Sequence, residues 1–192
     1  MGVENTTDRI ISYLNIPKTN YAIFLDGAWG IGKSYFVFNK LKSKIKSDVQ
    51  YDIQYFSLNG VGNIETLKKQ VLFSLLSEKK QMSTQILSVV SSFSSSLSSV
   101  SYVGKISGPV QFFANASHNK LLKVDIEKQM MKKLLIFDDL ERVQSIKVIE
   151  EFFGFISMTF LELTDTKIML IGNEDEIVKK TKINHILPLK KK

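Results

Sequence analysis

Four short stretches rich in apolar residues punctuate the chain. Residues 21–25 (YAIFL) run into Asp26-Gly27, residues 134–137 (LLIF) into Asp138-Asp139 and residues 168–171 (IMLI) into Gly172-Asn173, while residues 51–58 (YDIQYFSL) form the fourth. Apolar runs of this length, closed by turn residues, read as strands buried on both faces, the mark of a parallel sheet covered by helices. Around residues 33–46, 63–79 and 145–160 the spacing becomes helical. Asn63 is placed to cap the second of these helices, with Glu65 favourable in its first turn. Strands alternating with helices predict an α/β fold, a three-layer core with a mainly parallel sheet.

The loop after the first strand reads GAWGIGKS. Gly27, Gly32, Lys33 and Ser34 occupy the GxxxxGK[ST] positions of a P-loop, between a strand and a helix as that motif requires. Its glycines let backbone N–H groups turn inward as an anion nest, to which the helix N-terminus adds its dipole. Gly27, Ala28, Trp29, Gly30, Ile31, Gly32, Lys33 and Ser34 are therefore the expected phosphate-binding residues, Lys33 reaching the β- and γ-phosphates and the Ser34 hydroxyl meeting Mg²⁺. Trp29, the single tryptophan, is expected to pack over the loop from outside the nest. Asp26 is expected to end the strand and takes no catalytic role.

The run at 134–137 ending in two acids is a Walker B pattern. A carboxylate at the tip of a buried strand holds Mg²⁺ through its water shell, and a second one beside it orients or deprotonates an attacking water. Asp138 is assigned to the metal and Asp139 to the water. Asn173, at the tip of the next strand, reads either as a sensor of the γ-phosphate or as a turn residue ahead of a helix starting near Glu174. Arg142 is expected to pair with Glu141 or to reach a neighbouring subunit.

Together GAWGIGKS, LLIFDDLER and KIMLIGNEDEI resemble the KAP family of P-loop NTPases, which are related to the AAA+ and STAND groups, and residues 55–61 (YFSLNGV) are similar to the second-strand segment of that wider group. The resemblance spans roughly residues 10–180 with one interruption, and Glu141 stands where the family usually has Asp. It implies a P-loop NTPase core using ATP or another nucleoside triphosphate with Mg²⁺, acting as a switch or motor in an assembly. It also implies a bacterial or phage membrane-associated defence or exclusion role. Such cores have five strands followed by a helical lid that supplies an arginine. Here only residues 186–189 are left for a fifth strand, Pro188 lies within them and Lys190 to Lys192 close the chain, so no lid is encoded and the sequence reads as the N-terminal portion of a longer NTPase.

The expected core comprises residues 10–80 and 120–180, with a basic tail at 181–192. Between the core segments, residues 81–119 hold a single formal charge, Lys105, beside His118, and are rich in serine; they read as an insertion. Three readings fit it. Ile86, Val89, Val90, Phe93, Leu97 and Val100 make an apolar stripe at helical spacing, suited to an amphipathic or self-associating helix that packs on the NTPase core, another subunit or a lipid surface. The position is one where the family carries transmembrane segments, but serines take about half of the most apolar stretch, whereas a spanning helix wants ~20 predominantly apolar residues. The Ser94 to Ser96 run favours a flexible loop.

Composition narrows the function. A chain of 192 residues with 44% hydrophobic and 23% charged residues is globular, with room for one domain and a large insertion. It has no cysteine, and His118 and His185 lie far apart, which excludes thiolate sites and disfavours a histidine metal centre. Among 26 basic residues only Arg9 and Arg142 are arginine. The net charge of +7 therefore reads as solvated lysine faces, and sequence-specific nucleic-acid binding is not expected. So few arginines also disfavour a small P-loop nucleotide kinase; a nucleotide-gated interaction module with little hydrolysis is the other alternative. The N-terminus has no secretory signal, and Gly2 with Thr6 is too short a match to carry myristoylation. The expected location is the cytoplasm, at the inner face of a membrane where residues 81–119 meet lipid, and the expected partners are nucleotide and a protein partner or second copy.

Overall fold

Strands Ile23–Asp26 (β1), Asp52–Ser57 (β2), Lys133–Asp138 (β3) and Lys167–Gly172 (β4) pair in parallel in the order β1-β4-β3-β2. This is the α/β fold the sequence predicts. The computed structural model describes residues 3–77, 131–162 and 164–181. The insertion at 81–119, residues 182–192 of the tail and the fifth-strand candidate at 186–189 lie outside them. Every residue of β3 and β4 is buried, whereas β1 and β2 at the edges are partly exposed. Their continuous apolar runs thus belong to the two central strands, as burial on both faces demands.

The chain divides into two compact units, Met1–Gly62 with Met131–Lys192, and Asn63–Met130. In the first unit, helix Val3–Leu14 (α1) precedes β1. Lys33–Phe36 (α2) runs through a π-helical turn, Val37–Leu41, into Lys42–Asp48 (α3). In the second unit, Ile64–Ser77 (α4) starts as expected, the Asn63 side-chain oxygen accepting from the Glu65 N–H at 2.8 Å. Back in the first unit, Ile146–Ile156 (α5) is capped by Ser145 and Glu174–Thr181 (α6) follows β4. Among the described residues no helix is long and apolar enough to cross a membrane.

Alternation along the strands divides the core of the first unit into two faces. On one, Leu134, Ile136, Met169 and Ile171 meet α1 and the helix after the P-loop through residues such as Leu14, Leu41 and Ile45. On the other, Phe137 packs edge-on against Phe152 of α5, ring centroids 5.1 Å apart. Helices therefore cover both faces, and the three layers are present.

The strand limits differ from expectation by one or two residues; the first strand begins at Ile23, and Tyr21 belongs to the lead-in. The larger difference is α1, a helix the sequence pattern does not predict, although its buried residues fall within the expected core. Its buried face is Ile10, Tyr13 and Leu14, too short a stripe to stand out beside the polar Glu4 to Arg9. Tyr13 is the anchor: its hydroxyl donates to the Tyr21 carbonyl (3.0 Å) with the Ile168 carbonyl at 3.3 Å, and accepts from the Ile168 N–H at 3.1 Å. Burial raises its pKa above the ordinary tyrosine value, so it stays a donor. Lys167, 0% exposed at the start of β4, is tolerated because its ammonium donates to the Ile16 carbonyl and to Thr19 Oγ1. Tyr13→Phe should cost about 1–3 kcal/mol in urea unfolding, because it strips a buried strand N–H of its hydroxyl acceptor; an unchanged midpoint would remove α1 from the list of structural anchors.

Candidate functional site

All four parallel strands end at one edge, where loops carry ligand sites in such folds. After β1 the Gly27 N–H bonds the Gly172 carbonyl at the tip of β4 (3.2 Å), and the chain then turns through Gly30 (φ 78°) and Gly32 (φ 93°). Both φ values lie in the left-handed region that favours glycine, which explains the second glycine of the motif, Gly32, and the glycine at Gly30 within the loop. Gly32 precedes α2, and its carbonyl accepts from the Phe36 N–H at 2.8 Å. Lys33 folds back over the loop, its ammonium donating to the carbonyls of Gly27 (2.5 Å) and Ala28 (3.2 Å).

Across β4, β3 delivers Asp138 to the same edge, 3% exposed. Its Oδ2 accepts from Ser34 Oγ at 2.8 Å and from the Tyr55 hydroxyl at 2.5 Å, and its Oδ1 accepts from the Asp139 N–H at 2.7 Å. The two residues assigned to magnesium, one from each half of the chain, are thus in direct contact. Asp139 adopts φ 64°, its Oδ2 accepting from Ser57 Oγ at 3.0 Å and its Oδ1 lying 3.4 Å from Arg142 Nε.

That ion pair corrects one expectation: Arg142 pairs with Asp139, not with Glu141. Asp139 opens a 3₁₀ turn, Leu140–Arg142, in which Glu141 points inward and Arg142 outward over the Trp29 ring, 5.4 Å from its centroid. Glu141 is 3% exposed; Oε1 accepts from Trp29 Nε1 at 2.6 Å and Oε2 from the Asn173 N–H at 3.2 Å. Trp29 does lie outside the nest, 59% exposed, but it is fastened by its indole nitrogen rather than by packing. Asn173 caps α6, its Oδ1 accepting from the Glu176 N–H at 3.4 Å, which leaves its Nδ2 without a partner among the described residues. Asp26 ends β1, as expected, and its Oδ1 accepts from the Glu174 N–H at 2.9 Å.

The sequence reading missed Tyr55 and Ser57. They occupy alternate positions of β2, whose parallel register pairs Ser57 with Asp138, so one face of the edge strand hands a hydroxyl to each acid. No motif announces this, because it depends on which strand lies beside β3. Burial, then the bond to Asp138, raises the Tyr55 pKa well above the ordinary value, and the phenol remains protonated and donating.

The donor set suits Mg²⁺. Among the described residues no group of three or more His, Cys, Asp or Glu gathers to hold a metal, but Mg²⁺ characteristically takes one or two carboxylates and completes its shell with water and substrate phosphates. Ser34 and Asp138 beside a phosphate nest provide that partial set.

The model of the KAP family P-loop domain matches residues 3–192. A search of curated proteins finds no significant match.

The Tyr55–Asp138 bond has a spectroscopic consequence. In the difference between wild type and Tyr55→Phe, tyrosinate absorbance should still be missing at about pH 10, where an ordinary tyrosine is half ionised. Asp138→Asn should move that transition down toward the ordinary value, because the neutral amide no longer disfavours the phenolate. A wild-type transition at the ordinary value would show that Tyr55 does not hold Asp138.

Proposed function

The chain belongs to the KAP family of P-loop domains, and on that premise we propose that it binds ATP, or another nucleoside triphosphate, with Mg²⁺ and hydrolyses it, working as a switch or motor in an assembly. The observation that carries the reading is the 2.8 Å contact between Ser34 and Asp138, which joins the phosphate loop to the acid-tipped strand.

Residues 27–34 take the phosphates on inward N–H groups at the start of a helical segment that runs from Lys33 to Asp48. Lys33 exchanges the Gly27 and Ala28 carbonyls for phosphate oxygens, which are charged and therefore stronger acceptors. Ser34 and Asp138 would hold Mg²⁺, which when bound neutralises charge on the phosphate oxygens and orients them. Tyr55 keeps Asp138 in place while Ser34 changes partner. Asp139, on the exposed side of the turn, orients the attacking water once Arg142 loosens, and the Asn173 Nδ2 is available to the terminal phosphate. Arg142 is engaged at rest by Asp139 and Trp29, so a further cation for the developing charge would come from a protein partner or a second copy. A cytoplasmic protein of a membrane-associated defence system is the setting the family resemblance suggests, with residues 81–119 as the segment to meet a partner or lipid.

One observation favours the nucleotide-gated module as a second reading: both Asp139 oxygens are occupied, by Ser57 and Arg142.

Phosphate release measured beside nucleotide binding separates the readings. Lys33→Ala should weaken Mg-ATP binding about 10-fold or more, the value of a hydrogen bond to a charged group. Asp139→Asn should retain binding while lowering turnover ~10²–10⁴-fold, the usual contribution of a positioned base. Binding without phosphate release in wild type would favour the gated module, transfer to an added nucleoside would favour a kinase, and binding indifferent to Lys33→Ala would overturn the site.

A further inference from the structure

The crown of the P-loop, residues 28–31, is held by little. Its internal bond, from the Ile31 N–H to the Ala28 carbonyl, is long at 3.4 Å. Its side-chain tethers among the described residues are Lys33, which donates to the Gly27 and Ala28 carbonyls, and Trp29, which donates to Glu141 and lies under Arg142. Two glycines at positive φ make the crown easy to deform. If Lys33 leaves for phosphate, the hold on Trp29 remains.

Glu141 is shaped for that hold. A buried carboxylate needs compensating donors, and this one takes them from two different loops, the Trp29 indole on one oxygen and the Asn173 N–H on the other. Its own backbone carbonyl accepts from Lys180 of α6 (2.5 Å), which fixes the turn from the far side. At the tip of β4, Gly172 makes the room: a Cβ there would sit 3.0 Å from Glu141 Oε2. Trp29, more than half exposed, has no core-packing role that would otherwise account for its bond to a buried acid.

We propose that Glu141 is a positioning residue for the nucleotide site: it keeps the P-loop crown in its phosphate-receiving shape through Trp29 and ties that crown to the turn carrying Asp139 and to the loop carrying Asn173. The proposal rests on the reading of residues 27–34 as the nucleotide site. Its physical content is preorganisation. With the crown held beforehand, binding does not have to order it, and the ordering of even one backbone residue is worth about tenfold in affinity.

The single tryptophan makes the test direct. A non-hydrolysable Mg-ATP analogue is titrated calorimetrically into wild type, Glu141→Gln, Trp29→Phe, the double variant and Lys33→Ala, and Trp29 emission is recorded for the folded forms that retain it. Glu141→Gln keeps side-chain volume but has one acceptor for two N–H groups. It should alter Trp29 emission in the nucleotide-free protein and weaken binding about tenfold. Trp29→Phe, at an exposed position that does not threaten folding, should weaken binding similarly, and the double variant should lose no more than either single one. A residue needed only for packing would lower the melting temperature without moving the emission of the folded protein. Unchanged emission and affinity in Glu141→Gln, or fully additive losses in the double variant, would overturn the proposal. If binding is lost in Lys33→Ala but unmoved in both other single variants, the proposal alone fails; if wild type binds no analogue, the nucleotide site fails and takes the proposal with it.

Discussion

The position of β4 between β1 and β3 is the constraint on which the site depends. Parallel pairing sends every strand end to one edge, but the phosphate loop leaves β1 and the acids leave β3, so they must meet across the tip of an intervening strand. That tip is Gly172. Its carbonyl takes the first N–H of the P-loop, and its missing side chain leaves the passage through which Glu141 reaches the next loop. Ser34 can touch Asp138 because the loop, the strand tip and the turn lie side by side with nothing bulky between them.

The same crowding sets an electrostatic problem. Asp138, Asp139 and Glu141 fall within four positions of one another, and like charges at such spacing repel. The structure separates them by giving each its own donors from different elements: Ser34 and Tyr55 for the first, Ser57 and Arg142 for the second, Trp29 and the Asn173 N–H for the third. The sharp bend at Asp139, with φ 64°, lets adjacent acids face different partners. Two donors to Asp138 and Asp139 come from β2 alone. A partly exposed edge strand therefore does much to organise the acids.

These donors explain which parts were legible beforehand. Central strands can be read because burial on both faces forces a continuous apolar run, as in LLIF and IMLI, and the phosphate loop can be read because its chemistry lies in adjacent residues. Tyr55, Ser57 and Glu141 could not be read in the same way, since each acts on a residue brought near by sheet order and register. Arg142 shows the limit most clearly. Adjacency suggested Glu141 as its partner, yet a 3₁₀ turn sends neighbouring side chains to different sides and returns every third one to the same side, so Arg142 meets Asp139. Helix α1 was missed for a related reason: its contribution is a short apolar face and one phenol bonded to β4, 155 positions away.

Lys33 and Arg142, two cations near the nest, are both parked on the protein's own acceptors, Lys33 on two loop carbonyls and Arg142 on Asp139. Ligand binding at such a site is an exchange of partners, so its free energy is the difference between the bonds made and the bonds released. For Lys33 the exchange runs forward, because phosphate oxygens give charge-assisted bonds roughly twice as strong as those to neutral carbonyls. For Arg142 no such gain is built in: leaving Asp139 breaks a half-exposed ion pair, worth about 0–1 kcal/mol, and its cation–π contact with Trp29. In the proposed mechanism, occupancy of the nest and release of Asp139 are therefore separate events with separate driving forces. The residue that joins the Trp29 loop to the Asp139 turn, Glu141, is where the first can influence the second.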